Sequence, residues 1–383
     1  MLPSHNRMNA SSPIQLPAVR RIALLLIVFA APLLLSAASH ELWRAKGHAV
    51  SIAYDRAGVL HIVYVDDANR VVHVSGNRKT LVSPAGTRPD AHGEVTPLIV
   101  ARDAGTLFVI YSEKVDAKWA TRLVAARSSD GGRTWSAPFA VNDDRASASH
   151  SFADAVGAKN GVVVSWLDNR TGHQGVRSAL VGASRVSTNT SVDSMTCECC
   201  RTALLRANDG AVWLAYRDHA AGDVRNMAYA ISRDGGATFK TEGDIANDNW
   251  SLKGCPDSGP RLTQSSDGTV WAAWFNGAAP AIEIASNRRG KFNAPERIAA
   301  PDARYTMVNH PDIGTLADGR LIVVYEATRR DGVPVILARV GNASPTVIAE
   351  HASTPRFARS GARATIAYSE HMGNEESVVV RSF

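Results

Sequence analysis

Four cysteines and two histidines form the first set of residues whose types could do chemistry. Three cysteines lie within four consecutive residues, and the fourth follows further along the chain. In an oxidising compartment this pattern predicts two disulfides, or one disulfide and a free thiol pair. The alternative is a copper or zinc site, because sulfur and imidazole ligands suit both metals. The candidate ligands are Cys197, Cys199, Cys200, Cys255, His150 and His310.

A second set combines arginines with an aspartate and a tyrosine. The arginines and the aspartate lie at or just before the start of apolar, alternating segments, which predict strands. A guanidinium can bind a carboxylate through two parallel hydrogen bonds, so three arginines that converge would bind an anionic ligand. The candidates are Arg201, Arg261, Arg356, Asp312 and Tyr305.

The elements that must position both sets are repeats of one short sequence motif. Each copy is a turn, often Asp-Gly, followed by alternating apolar residues that end in an aromatic. The copies recur about 50 residues apart, a period typical of the four-stranded blades of a β-propeller. No segment outside the first 38 residues shows a helical period. The final aromatics are Tyr64, Tyr111, Trp166, Tyr216, Trp274, Tyr325 and Tyr368.

The blade count follows from these seven copies. We expect an all-β propeller with seven blades, and six blades as the alternative. The last copy stops at Phe383 after only three predicted strands. Ser39–Gly47 precedes the first copy and could supply the missing strand, which would close the ring and remove two exposed edges. The innermost strands would then bring the two sets of candidate residues to one mouth of a central channel.

Two turns have the form Ser-x-Asp-Gly-Gly-x-Thr-aromatic, at Ser128–Trp135 and at Ser232–Phe239. In each turn the aspartate can accept backbone hydrogen bonds, and the glycines supply positive φ angles. These segments resemble the Asp-boxes, or BNR repeats, of the sialidase superfamily, whose members are six-bladed propellers. The segments Met195–Arg201 and Gly254–Pro260 further resemble exported bacterial sialidase-like proteins of undefined role. Asp-boxes are structural, so this resemblance specifies architecture better than activity.

The resemblance implies a set of catalytic roles. Sialidases hold the substrate carboxylate with three arginines and use a tyrosine nucleophile and an acid/base aspartate. Here Arg201, Arg261 and Arg356 would form the clamp, Tyr305 would be the nucleophile and Asp312 the aspartate. The chain departs from the family where its Arg-Ile-Pro motif is expected near the first blade, and cysteines lie where a glutamate should support the tyrosine. Enzymatic activity therefore stays open.

The first 38 residues predict an export signal. Arginines precede the apolar segment Ile22–Leu35, and Ser36-Ala37-Ala38 supplies a cleavage site. An uncleaved membrane anchor is the alternative. Removing three arginines reduces the net charge from +6 to +3, and no long basic run remains, so a nucleic-acid partner is not indicated. We expect a periplasmic or secreted domain over residues 39–383, without stable membrane insertion once the signal is cleaved.

Three functions remain open at this point. The first is a glycan-directed protein, either a sialidase-class hydrolase or a carbohydrate-binding descendant without catalysis, which would bind a glycan or another anionic small ligand. The second is a metal-binding propeller that uses the cysteines and histidines for copper or zinc. The third is a scaffold that binds a protein partner through the rim of the channel.

Overall fold

The computed structural model describes residues 39–116, 119–183, 185–288 and 290–383. The predicted export signal at residues 1–38 lies outside these residues. Within them the secondary structure consists of β-strands, and the all-β prediction is confirmed. In the described part of the chain, no helix is long and apolar enough to cross a membrane.

Two sheets contain the first nine strands. The larger has seven strands in the order β26-β27-β28-β1-β2-β3-β4, and the other contains β5 to β9 with β6 paired to β7. The strands of the larger sheet are β1 (Glu41–Tyr54), β2 (Leu60–Asp66), β3 (Val71–Ser75), β4 (Arg78–Leu81), β26 (Ala352–Ser360), β27 (Arg363–Met372) and β28 (Glu375–Ser382). Those of the other are β5 (Pro89–Asp90), β6 (Leu98–Asp103), β7 (Thr106–Lys114), β8 (Thr121–Ser128) and β9 (Phe139–Ala140).

Four further sheets each contain four strands in sequential, antiparallel order. The first two are β10 (His150–Ala158), β11 (Gly161–Asp168), β12 (Gly175–Val181), β13 (Thr190–Asp193), and β14 (Ala203–Arg206), β15 (Val212–Arg217), β16 (Met227–Ser232), β17 (Lys240–Ala246). The others are β18 (Arg261–Gln264), β19 (Val270–Asn276), β20 (Ala281–Asn287), β21 (Glu296–Ala299), and β22 (Tyr305–Thr315), β23 (Leu321–Arg329), β24 (Pro334–Val340), β25 (Thr346–Glu350).

Strand β1 belongs to two strand pairs. Its first half, Glu41–Lys46, pairs with β28 near the end of the chain, and its second half, Gly47–Tyr54, pairs with β2. The register shifts between His48 and Ser51, at a β-bulge. A bulge bends the strand that carries it. One continuous strand therefore belongs to the first and the last repeat of the sequence.

The first strands of the seven repeats contact one another in succession. The contacts run from β1 to β6, β10, β14, β18, β22 and β26, and β26 contacts β1 again. Behind them, the seven aromatics that end the repeated motif are all buried, with at most 2% of each exposed. They belong to hydrophobic clusters formed largely between neighbouring sheets. Burial of large aromatic rings is a major source of the stability that orders the strands in front of them.

The two Asp-box turns have the same hydrogen bonds. Asp130 Oδ1 accepts from the backbone N–H groups of Arg133 and Thr134 at 2.9 and 3.0 Å. Its Oδ2 accepts from the Thr134 hydroxyl at 2.6 Å, and these hydrogen bonds lower the pKa of Asp130. Asp234 repeats the arrangement with Ala237 and Thr238. Each turn is therefore fixed by a carboxylate within the turn itself, which fits a structural role.

Candidate functional site

Seven residues occupy equivalent positions on the first strands of the seven repeats, β1, β6, β10, β14, β18, β22 and β26, which we call the inner strands. Each pairs with the residue immediately before a buried aromatic, as Asp154 pairs with Ser165 and Arg261 with Ala273. All seven line one cavity of about 190 Å³, which we call the arginine cavity. They are Ser51, Leu98, Asp154, Ala203, Arg261, Asp312 and Arg356.

The structure brings the three predicted arginines together in this cavity, and two of them already have carboxylate partners. Arg201 donates to Asp154 Oδ1 at 2.8 Å. Arg261 donates to Glu94 Oε1 at 2.6 Å. Each of these arginines has about 6% of its surface exposed. Buried charges of opposite sign compensate each other's lost hydration, so these pairs hold the inner strands in place.

Glu94 comes from the segment before β6 and reaches strand β18. Its second carboxylate oxygen accepts the backbone N–H of Gly259 at 2.6 Å. Burial alone would raise its pKa, but Arg261, His310 and Arg356 lower the pKa of Glu94 to about 2. Glu94 is therefore an internal carboxylate bound to one of the three arginines.

Arg356 is the least compensated of the three arginines. It donates to the Pro355 carbonyl at 3.0 Å, and its Nε and Nη2 have no hydrogen-bond partner among the described residues. Burial and the neighbouring Arg261 and Arg201 lower the pKa of Arg356 to about 9. Asp312 faces the same cavity, and burial raises its pKa despite these arginines. A water molecule or a small anion would satisfy the free N–H groups.

Tyr305, the predicted nucleophile, is not among the residues that line the arginine cavity. Its ring packs in the hydrophobic cluster with Ile298, Val308 and Tyr325. The Arg304 guanidinium lies 5.3 Å from the ring centroid. The structure thus brings together Arg201, Arg261, Arg356 and Asp312, and places Tyr305 in a packing role.

A larger cavity of about 600 Å³, which we call the outer pocket, is formed by segments around the starts of β10 and β14. Its walls mix aromatic, sulfur-containing and charged side chains. Trp119 is 72% exposed and Met195 is 40% exposed. Lys114 Nζ lies 3.5 Å from Asp90 Oδ1. Such a combination of exposed apolar surface and polar groups is typical of ligand sites.

The four cysteines lie at and behind one wall of the outer pocket. Cys199 and Cys255 form a disulfide and line the pocket, and Cys255 is exposed. Cys197 and Cys200 are free, buried thiols with their sulfurs 3.2 Å apart. The hydrogen bond between Cys197 and Cys200 lowers the pKa of Cys197 to about 6, although burial opposes the shift. Burial raises the pKa of Cys200.

The two predicted histidine ligands lie in other networks. His150 hydrogen-bonds to the Thr121 carbonyl at 2.6 Å and to Asp144 at 3.0 Å. His310 hydrogen-bonds to Glu326 at 3.0 Å and to the Asp257 carbonyl at 2.9 Å. Burial disfavours its charged form, but Glu326 raises the pKa of His310 above the ordinary value. The structure thus separates both imidazoles from the group of sulfur atoms.

The protein is built from repeated antiparallel sheets, and its inner strands carry arginines and carboxylates. Residues 76–344, more than half of the chain, match the BNR repeat-like domain family, and the chain belongs to this family. The curated protein sequences contain no match to this chain.

Solved structures with a similar fold are distant in sequence. A protein of unknown function from Dyadobacter fermentans is 14% identical, with a TM-score of 0.53 over 90% of this chain and 99% of that one. The BP39L lectin from Burkholderia pseudomallei is 14% identical, with a TM-score of 0.58 over 88% and 95%. The sialidase of Trypanosoma rangeli, in complex with the inhibitor DANA, is 11% identical, with a TM-score of 0.53 over 90% and 59%. At these identities the similarity shows the fold alone.

Proposed function

We propose that residues 39–383 form a seven-bladed propeller that is closed by β1 and exported by a cleaved signal at residues 1–38. The seven equivalent residues around the arginine cavity support seven blades, because each comes from a different repeat. The pairing of β1 with β28 supports closure. Export is supported by the sequence of the leader and by the disulfide between Cys199 and Cys255.

We further propose that this protein is a non-catalytic, glycan-binding member of its family, and that the outer pocket is its binding site. The observation that carries the proposal is the pocket's size together with the exposed ring of Trp119. A pyranose ring presents apolar C–H groups that pack on an aromatic face, while its hydroxyls need polar partners such as Lys114 and Asp90. The lectin among the structural neighbours shows that a similar fold carries this kind of function.

The arginine cavity supports the absence of catalysis. Its volume of about 190 Å³ is small. The carboxylates of Glu94 and Asp154 already bind two of the arginines. Among the described residues, the buried N–H groups of this cavity without a partner are those of Arg356 and Arg201. A sialoside that also took Arg261 from Glu94 would leave that carboxylate buried without its partner, at a cost of several kcal/mol. The side chain of Tyr305 belongs to a hydrophobic cluster and does not line this cavity.

The test measures binding and turnover separately. The full chain is screened against immobilised neutral and sialylated oligosaccharides, and hits are quantified by calorimetry. We expect Trp119→Ala to weaken binding by about tenfold or more, since a central aromatic contact contributes roughly 1–3 kcal/mol. Met307→Ala is the matched control, because Met307 is 44% exposed and does not line either pocket.

Two outcomes would overturn the proposal. Equal weakening by Trp119→Ala and Met307→Ala would remove the outer pocket as the site. Turnover of a fluorogenic sialoside by the wild-type protein, lost in Arg201→Lys, would show that the chain is an enzyme after all.

A further inference from the structure

Three sulfur atoms meet behind the wall of the outer pocket. The sulfurs of Cys197, Cys199 and Cys200 all lie within 4.8 Å of one another. Each of these three residues is at most 5% exposed. Only Cys199 is oxidised, and its partner Cys255 is on the exposed side. A thiol pair and one end of a disulfide therefore share a single buried volume.

Two buried arginines lie beside this volume, and the Arg217 carbonyl accepts the backbone N–H of Cys197 at 3.0 Å. Arg217 is 1% exposed, and its hydrogen bonds all go to backbone carbonyl oxygens, those of Arg225, Ser258 and Phe275. Arg225 is 3% exposed and donates to Glu198 at 3.0 Å. The Nε groups of both arginines lack a hydrogen-bond partner among the described residues. A buried guanidinium without a carboxylate is costly unless another anion lies close to it.

We propose that Cys197, Cys199 and Cys200 form a three-thiolate site for a soft cation, Cu(I), and that this site is complete only when the Cys199–Cys255 disulfide is reduced. Thiolates select Cu(I) over hard cations. Three thiolates and one Cu(I) carry a net charge of −2. Arg217, which has no carboxylate partner among the described residues, compensates one unit of it, whereas Arg225 is already paired with Glu198. Tetrahedral Zn²⁺ would need a fourth ligand. Among the described residues, neither an imidazole nitrogen nor the Cys255 sulfur is part of the group.

The switching step is an ordinary thiol–disulfide exchange. An external thiolate attacks the exposed Cys255 sulfur, forms a mixed disulfide there and releases Cys199 as a thiolate. A second external thiolate attacks the mixed disulfide, which yields the oxidised external disulfide and the free Cys255 thiolate. The protein gains two electrons in total. Cu(I) then binds the three sulfurs, and any protons that they carry go to solvent.

The experiment compares two variants that both remove the disulfide. Cys255→Ser leaves all three proposed ligands free, whereas Cys199→Ser removes one of them. Cu(I) affinity is measured without oxygen by competition with a chromogenic chelator, on the full chain, with and without prior reduction by dithiothreitol. X-ray absorption counts the sulfur ligands, and circular dichroism confirms that each sample is folded.

The proposal expects a specific pattern. Oxidised wild type has two titratable thiols and reduced wild type has four. Reduced wild type and Cys255→Ser bind one Cu(I) with three sulfur ligands, at least about 100-fold more tightly than oxidised wild type or Cys199→Ser. Equal affinity of oxidised and reduced wild type would overturn it, and so would equal affinity of the two variants. If a variant does not fold, the wild-type comparison alone decides.

Discussion

The arginine cavity and the outer pocket differ in how their polar groups are compensated. In the arginine cavity, Arg261 and Arg201 bind Glu94 and Asp154, which belong to the same chain. In the outer pocket, Trp119 and Met195 expose apolar surface, and Lys114 and Asp90 face each other at 3.5 Å with solvent beside them. In the arginine cavity two of the three arginines have internal carboxylate partners, and Arg356 keeps N–H groups that have no partner in the described part of the chain. The outer pocket instead exposes the apolar surfaces of Trp119 and Met195.

The internal partners distinguish two possible roles of the arginines, which the sequence alone does not distinguish. Arginines that converge on a channel can bind a substrate carboxylate, or they can hold the inner strands together through internal carboxylates. In this chain Glu94, from the segment before β6, contacts Arg261, which lies 167 positions later in the sequence. Charges around a channel are therefore evidence for a ligand only after the internal partners have been counted.

The largest effect expected from this comparison is on stability. Glu94→Ala leaves Arg261 buried without its carboxylate, which should lower the free energy of unfolding by about 3–5 kcal/mol. Urea denaturation of the full chain measures it. Glu375→Ala is the control, because it removes an ion pair whose two side chains are largely exposed, and it should leave stability nearly unchanged.

The comparison would fail if Glu94→Ala kept wild-type stability. It would also fail if an Arg261→Ala protein of wild-type stability lost glycan binding, because the arginine cavity would then be the ligand site.

A second effect depends on pH. The pKa of Glu94 is about 2 in the folded protein against an ordinary value of 4.5, so the folded state favours the charged carboxylate. This contribution is fully present above pH 4.5 and is lost as the pH falls towards 2, with a magnitude of about 3 kcal/mol. The stability difference between wild type and Glu94→Gln should therefore shrink over this range. A difference that is constant from pH 5 to pH 2.5 would show that Glu94 is not held as an anion.

The smallest effect concerns the outer pocket. Lys114→Gln removes one exposed charge beside Asp90 and should change glycan affinity by no more than about threefold. The change for a sialylated ligand should diminish as salt is added, because salt screens exposed charges. Calorimetry at low and high ionic strength checks this. A loss of affinity as large as that of Trp119→Ala would mean that charge, rather than aromatic stacking, dominates binding.

The β-strands could be predicted from the sequence better than the contacts between them. All seven aromatics, from Tyr64 to Tyr368, are buried. This could be predicted, because the alternation of apolar residues shows which face of each strand turns inward. The same register identifies Asp154, which the sequence analysis missed. The sequence points to His150 instead, and the bulge between Ser151 and Asp154, which depends on backbone geometry, puts His150 out of this register.

Other parts of the site depend on tertiary structure alone. Glu94 lies in a segment with no motif, and only the approach of that segment to Gly259 gives it a role. The histidines show the converse. His150 opens β10, as predicted, whereas His310 lies in the middle of β22. Nearby carbonyl and carboxylate groups bind the ring nitrogens of both histidines. The repeat predicts roughly where a residue lies along its strand. It does not predict which groups the side chain contacts.

The double pairing of β1 has a consequence for how the chain is made. Glu41–Lys46 are among the earliest residues of the described part to be synthesised, yet their partners in β28 are among the last. The sheet that contains both strands cannot be completed until β28 has been synthesised. If the protein is exported as we propose, the chain can pass through a translocation pore before these two strands pair.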